Sequence, residues 1–130
     1  CSSLTSITIP DSVVSIGRSA FGICASLTRF TIPDSVVSIG DSAFSNCISL
    51  TSITIPDGVT SIEDKAFYYC TSMKEVYCKS TTPPAGGSGM FGSISSECKI
   101  YVPIESVEAY KSAEYWKNYA DYIVGYDFSE

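Results

Sequence analysis

A unit of 23 residues occurs three times in succession in this chain, and no other feature limits the fold as strongly. The middle copy, ASLTRFTIPDSVVSIGDSAFSNC, occupies residues 25–47. The first, residues 2–24, differs from it at six positions out of 23, and the third, residues 48–70, keeps the same frame. A unit this short cannot close an apolar face alone. Near-identical units at a fixed period therefore stack, each covering its neighbour, into a solenoid.

The columns of the repeat set the geometry of one coil. Leu4, Leu27 and Leu50 recur in step, with Met73 opening a fourth turn; Ile7, Phe30, Ile53 and Val76 follow, then Ile9, Ile32, Ile55 and Cys78. Leu-x-x-Ile-x-Ile is the strand pattern of leucine-rich repeats, and its alternation sends two side chains inward and one outward. Pro10, Pro33 and Pro56 end the strand because proline donates no ladder hydrogen bond. Asp11, Asp34 and Asp57 complete a Pro-Asp turn. Val13, Val36 and Val59 with Ile16, Ile39 and Ile62 form a second inward stripe. Ala-Phe pairs at 20–21, 43–44 and 66–67 precede Cys24, Cys47 and Cys70 at helical offset, which predicts one helical turn on the convex side. The expected core is Leu27, Phe30, Ile32, Val36, Ile39, Phe44, Cys47, Ile53, Ile55, Ile62, Phe67 and Cys70, closed by Trp116. Glu63 stands where the other copies carry Gly17 and Gly40, so the positive-φ freedom of glycine is either unneeded in the third turn or the loop there differs.

Ser-Leu-x-x-Ile-x-Ile-Pro-x-x-Val-x-x-Ile-Gly-x-x-Ala-Phe-x-x-Cys, covering residues 2 to about 79, resembles the repeat of BspA-like leucine-rich-repeat proteins. The resemblance implies an α/β repeat solenoid: a right-handed coil with a parallel β-sheet on one face and short helical turns on the other. It also implies a large bacterial cell-surface protein, extracellular, that binds host matrix, host cells or other microbes.

Composition narrows the function. The 130 residues are 45% hydrophobic and 17% charged, with a formal net charge of −6 and no histidine. Acids outnumber bases in both halves and no Lys/Arg cluster exists, which argues against nucleic acid. No apolar run approaches a membrane span, and no signal or lipidation motif is visible. Cys1 falls in the Cys24 column, so the first coil starts uncapped. The sequence is expected to be a segment of a longer protein, and that coil could mediate end-to-end self-association. Cys1-Ser2-Ser3 as the start of a mature lipoprotein is the alternative, though the column already accounts for the cysteine.

Four of the six cysteines belong to one column. Parallel stacking points their Cβ vectors the same way, which disfavours a disulfide, and buried free thiols are expected. Cys78 and Cys98 could pair. Neither C-x-x-C nor histidine is present, so no zinc-ligand spacing exists, and no cofactor is implied.

After Cys70 the pattern decays, and the chain reads as one domain: three repeats over 1–70, a partial fourth repeat and a Pro/Gly-rich loop over 71–98, and an α/β cap over 99–130. Lys-Ile-Tyr-Val at 99–102 is a strand. A helix is expected from about Ile104 to Ala113, then a helical piece with Tyr115, Trp116 and Tyr119. The run IYVPIESVEAYKSAEYWKNY resembles the cap that ends many BspA-like arrays.

Candidate chemistry is sparse. Gly87 to Gly92 fits G-x-G-x-x-G, but a Pro-Pro loop precedes it and no helix opens from it, so it reads as loop rather than dinucleotide site. The Asp11/Asp34/Asp57 column offers too few oxygens for calcium and is explained by its turns. Without histidine no Ser-His or Cys-His dyad is possible, and Glu105 and Glu108 read as solvated charges; no catalytic residue or metal ligand is assigned. The outward strand columns carry Ser6, Arg29, Ser52 and Glu75, then Thr8, Thr31, Thr54 and Tyr77. Arg29 breaks the regularity an ice-binding plane would need, and threonine is a good strand residue in any case. Tyr68-Tyr69, in place of Gly22-Ile23 and Ser45-Asn46, could be an interaction hot spot or packing for the cap. The expected binding residues are therefore Arg29, Thr31, Thr54, Tyr68, Tyr69 and Tyr77. They would belong to a non-catalytic module for a matrix or cell-surface protein or a glycan. A passive spacer within a larger surface protein is the alternative.

Overall fold

The structure, a computed structural model, describes residue 5, residues 9–28 and residues 30–128. Leu4, Ser6, Ile7, Thr8 and Arg29 lie outside the described residues. Two parallel sheets run along the stack. Strands β1 (Ser15–Ile16), β2 (Ser38–Ile39) and β4 (Ser61–Ile62) form one. Strands β3 (Ser52–Ile55), β5 (Glu75–Cys78), β6 (Lys99–Pro103) and β7 (Ile123–Tyr126) form the other, in that order. Register follows the repeat: Ser15 pairs with Ser38 and Ser38 with Ser61, while Ile53 pairs with Val76 and Ile55 with Cys78. A Thr31–Thr54 bridge carries the second sheet one coil further back. The extended second stripe expected from the valine and isoleucine columns is thus the first sheet. No helix among the described residues is long and apolar enough to cross a membrane.

The core fills the space between the sheets and the return segment. None of the thirteen residues expected there is more than 5% exposed. Its spine is a ladder of phenylalanines: Phe21, Phe44, Phe67 and Phe91 stack with ring centroids 5.4, 5.2 and 5.4 Å apart and planes within 13° of parallel. Phe30 meets both Phe21 and Phe44 edge-on at 4.8 Å. Like rings one coil apart sit at nearly the strand spacing, so stacking follows from the register.

The return segment is not helical. Alternate N–H groups bond across coils: Ser42 donates to Asp64, Phe44 to Ala66 and Asn46 to Tyr68. Between them Ala43 donates to Gly40 and Ser45 to Ser42, closing tight turns. A helix would spend every donor within its own coil, whereas here half of them hold the stack together. The turns place Ser19, Ser42, Lys65 and Gly89, and again Ile23, Asn46, Tyr69 and Ser93, at positive φ. The left-handed positions therefore lie elsewhere than at Gly17, Gly40 and Glu63, where positive φ was in question. Gly40 is needed for a different reason, because a Cβ there would lie 2.7 Å from the Ile16 carbonyl oxygen.

The stretch from Lys79 to Gly92, expected to be a loop, is a degenerate fourth return segment. Lys65, Phe67 and Tyr69 donate to Ser88, Met90 and Gly92 as their equivalents do one coil earlier, and Ala85 bridges Ser61. One inserted residue shifts the frame from 23 to 24, so Met90-Phe91 occupies the Ala-Phe position. The glycines fit the segment to its neighbour rather than loosening it. At Gly87 a Cβ would approach the Asp64 nitrogen to 2.4 Å, whereas at Gly17 nothing lies within 4 Å. Gly87→Ala is expected to cost about 1–3 kcal/mol through forced backbone shifts, and Gly17→Ala essentially nothing; urea denaturation of the two variants checks the contrast.

The cap grips this fourth coil by side-chain donors. A 3-10 turn (Ile104–Ser106) leads into α1 (Val107–Ser112), and a second 3-10 segment (Trp116–Tyr122) leads into β7. Trp116 Nε1 donates to Pro84 O at 2.8 Å, Tyr110 Oη to Ser80 O at 2.6 Å and Ser106 Oγ to Thr81 O at 2.7 Å. The Phe91 N–H donates to Tyr119 Oη at 3.2 Å. The phenylalanine ladder ends on Trp116 and Tyr119, 5.7 and 5.5 Å from Phe91.

Cysteine chemistry departs from expectation at one rung. Cys24 is disulfide-bonded, which corrects the reading of a wholly reduced column; no other described cysteine is its partner. The parallel-vector argument holds within the register-locked stack, where Cys47 and Cys70 are free and donate from Sγ to Phe21 O and Phe44 O, 3.1 and 3.2 Å away. Cys78 and Cys98 are also free and buried. Cys98 donates its N–H to Ser95 as Leu27, Leu50 and Met73 do to Cys24, Cys47 and Cys70, so it takes the leucine column. Burial pushes the Cys70 thiol up from 9.0 to about 12, with Cys47 adding to the effect. Burial and the nearby Glu75 push Cys98 up to about 11. A thiol that ionises later in the folded than in the unfolded chain stabilises fully below the unfolded value, and that contribution is lost as pH rises. Urea midpoints are expected to fall between about pH 9 and pH 12, while thiol reagents at pH 8 react with these four groups only on unfolding.

Candidate functional site

Three of the expected binding residues lie together on the outward face of the second sheet. In β3 and β5 the inward residues alternate with Ser52, Thr54, Glu75 and Tyr77, and Thr54 pairs with Tyr77. Thr31 continues the column one coil back. The column also runs forward, because Tyr77 pairs with Tyr101 in β6 and Tyr101 with Val124 in β7.

Aromatic rings gather where this column meets the cap. Tyr77 and Tyr101 stack at 5.0 Å, and Tyr126 stands edge-on to them at 5.6 and 5.4 Å. Phe128 meets Tyr126 at 4.9 Å and Tyr77 at 6.4 Å. These rings lie on the solvent side of paired strands, outside the core, and Tyr126 is 42% exposed. Partial burial raises the Tyr77 phenol above its ordinary value, and the Glu75 carboxylate adds to the shift, so the hydroxyl stays protonated and can donate near neutral pH.

Two adjoining clefts open at this corner. One, of about 320 Å³, has walls from Ile104, Tyr126 and Phe128 and polar groups from Lys79, Glu105 and Asp127. The other, of about 290 Å³, is bounded by Thr54, Tyr77, Lys79, Tyr126 and Phe128. Beyond them a shallow depression of about 310 Å³ runs beside Thr31, Ser52 and Thr54. The face is continuous and mixed in chemistry: aromatic surface, hydroxyls, two lysines (Lys79 and Lys99) and carboxylates.

The remaining expected residues sit elsewhere. Tyr68 and Tyr69 belong to the return segment, with centroids 5.7 Å apart. Tyr68 is half-buried under Lys65, whose Nζ lies 5.6 Å from the ring centroid. It packs against Gly92, where a Cβ would approach its ring to 2.6 Å, so it has a structural task. Tyr69 is 46% exposed. Arg29 lies outside the described residues. Asp34 and Asp57 are exposed on their turns, and among the described residues no group of three or more His, Cys, Asp or Glu is placed to hold a metal ion.

Sequence reasoning missed Tyr101, Tyr126, Phe128 and Lys79. Tyr101 was within reach, since Ile100-Tyr101-Val102 repeats the alternation of Val76-Tyr77-Cys78. Tyr126 and Phe128 carried no such signal, because β7 joins the sheet only after the cap has turned back.

Comparison with known proteins bears on this arrangement. A family model described as BspA type leucine rich repeat region matches residues 1–120 in six copies. Among solved structures, a leucine rich repeat protein of T. pallidum superposes with a TM-score of 0.61 at 25% identity, over 77% of this chain and 59% of that one. A leucine rich cell surface protein from Faecalibacterium prausnitzii superposes with a TM-score of 0.51 at 28% identity, over 88% of this chain and 34% of that one. The chain thus spans little more than half of the first and about a third of the second. No curated protein matches the chain.

Proposed function

The chain belongs to the BspA-type leucine-rich-repeat family, and from that premise we propose that it is a non-catalytic interaction module of a bacterial cell-surface protein. Its binding face is the outward side of the sheet β3–β5–β6–β7, with Thr31, Thr54 and Tyr77 joined by Tyr101, Tyr126 and Phe128; Arg29 and Tyr69 are secondary contacts. The observation that carries this reading is the aromatic cluster itself. Three large rings held on a paired sheet and Phe128 just beyond its last strand, outside the core and beside open clefts, have the desolvable surface of interface anchors. A rod needing only solubility gains nothing from such a patch. The relative from Faecalibacterium, itself a cell surface protein, supports the location.

The spacer reading draws on the small hydroxyl columns, in which Thr31, Thr54, Ser38 and Ser61 repeat with little variation. A binding screen against immobilised matrix proteins and glycans separates the two. The module is expected to give a saturable signal that Tyr77→Ala/Tyr101→Ala reduces at least tenfold without changing the folded circular dichroism. A flat screen for the wild-type chain would leave the spacer.

A further inference from the structure

The corner where the sheet meets the cap carries enough chemistry to specify a class of ligand. Its polar groups oppose one another: Lys79 offers a cation, Glu105 offers a carboxylate, and Thr54 offers a hydroxyl. Among the described residues Lys79 forms no ion pair, so its ammonium is available to a ligand. A bound anion would face the Glu105 carboxylate and a bound cation would face the Lys79 ammonium, so neither sign of charge suits the whole lining. An uncharged ring bearing hydroxyls meets both signs, because each hydroxyl donates once and accepts twice.

The apolar part of the lining points the same way. Tyr126 and Phe128 stand between the two clefts as shared walls, offering flat ring surface to a ligand that is apolar on one face and polar at its rim. The hydroxyls of Tyr77, Tyr101 and Tyr126 add donors and acceptors without charge. An extended peptide fits less well. Peptides engage sheets by adding a strand at an edge, where backbone groups are free; the edge in this sheet is the outer side of β7, whereas the second cleft lies over the face, walled by side chains from β3, β5 and β7. The clefts, about 320 and 290 Å³, are near the lower bound for small-ligand sites.

We infer that the corner formed by Lys79, Tyr77, Tyr126 and Phe128 binds a neutral pyranose unit of a glycan. This rests on the reading of the same face as the binding surface, and it fixes the ligand class. The sugar ring lies against Tyr126 and Phe128, with its hydroxyls bonded to Lys79, Thr54 and the carboxylate of Glu105.

The test uses the full chain in isothermal titration with four neutral series (oligomers of glucose, galactose, mannose and N-acetylglucosamine), with uronate and sialylated oligosaccharides, and with gelatin as an unfolded matrix polypeptide. At least one neutral series is expected to bind saturably. Tyr126→Ala and Lys79→Ala are each expected to weaken it at least tenfold, and Val14→Ala, at an exposed position away from this face, less than twofold. Tyr126 and Lys79 are exposed, so both variants fold, which circular dichroism checks. Neutral binding that survives Tyr126→Ala overturns the inference, as does a preference for acidic oligosaccharides. Gelatin binding that is lost in Tyr77→Ala, with no glycan bound, overturns the ligand class but leaves the interaction face standing. No binding of any probe removes both.

Discussion

Phe67→Ala is expected to lower stability by about 3–5 kcal/mol, the range for removing a buried phenylalanine, and to split the unfolding transition. Phe67 is fully buried and is the ring through which the third coil meets the fourth, stacked 5.2 Å from Phe44 and 5.4 Å from Phe91. Coils in a solenoid are stabilised by their nearest neighbours alone. A cavity at one junction therefore weakens the coupling between the two halves rather than lowering every contact equally. Against a total of about 5–15 kcal/mol for a typical domain, such a loss is a large share. Phe21→Ala removes one parallel stacking partner from a half-buried position and should cost markedly less. Urea denaturation followed by circular dichroism decides the matter: a single transition within about 1 kcal/mol of wild type would mean that the ladder does not couple the coils.

Trp116→Ala is the second large effect, again about 3–5 kcal/mol from lost burial, with a further penalty because the Pro84 carbonyl loses the indole N–H that bonds it. The consequence differs in kind from that at Phe67. Trp116 covers the end of the phenylalanine ladder, so its removal uncovers Phe91 and the apolar end of the fourth coil. Solenoids depend on covered ends for solubility, and the variant is expected to bind hydrophobic dye and to self-associate. Trp116→Phe separates the two contributions, because it keeps most of the packing and removes only the donor. Thermal melts and size-exclusion chromatography give the readouts. A monomeric Trp116→Ala that melts with wild type would show that the cap is held by its other bonds, from Tyr110 and Ser106.

The periodic part of the fold was legible because each column repeats one physical task. A leucine every 23 residues, an alternating triplet and a proline stop define a coil whether or not its partners are known. The return segment was misjudged for an instructive reason. Ala-Phe-x-x-Cys has helical spacing, but its backbone donors are drawn out to the next coil at every second residue, and tertiary hydrogen bonding overrides local preference. The Gly-rich stretch before Phe91 looked like a loop because glycine weakens any pattern signal, although at Gly87 it marks a close approach to the Asp64 backbone.

The candidate site divides along the same line. Thr31, Thr54 and Tyr77 share a column and could be placed on one face by alternation alone. Tyr126 and Phe128 join Tyr77 from about fifty residues further along, through a strand whose pairing depends on the cap folding back. Tyr68 and Tyr69, equally conspicuous in sequence, sit on the return segment apart from that face.

The repeating sequence determined which residues face inward and how the coils register, since both follow from a spacing that every copy shares. Which outward residues become neighbours across the junction with the cap was decided only by the tertiary structure. That junction is aperiodic, and its order is set by the bonds of Tyr110, Ser106 and Trp116 to the backbone of the fourth coil.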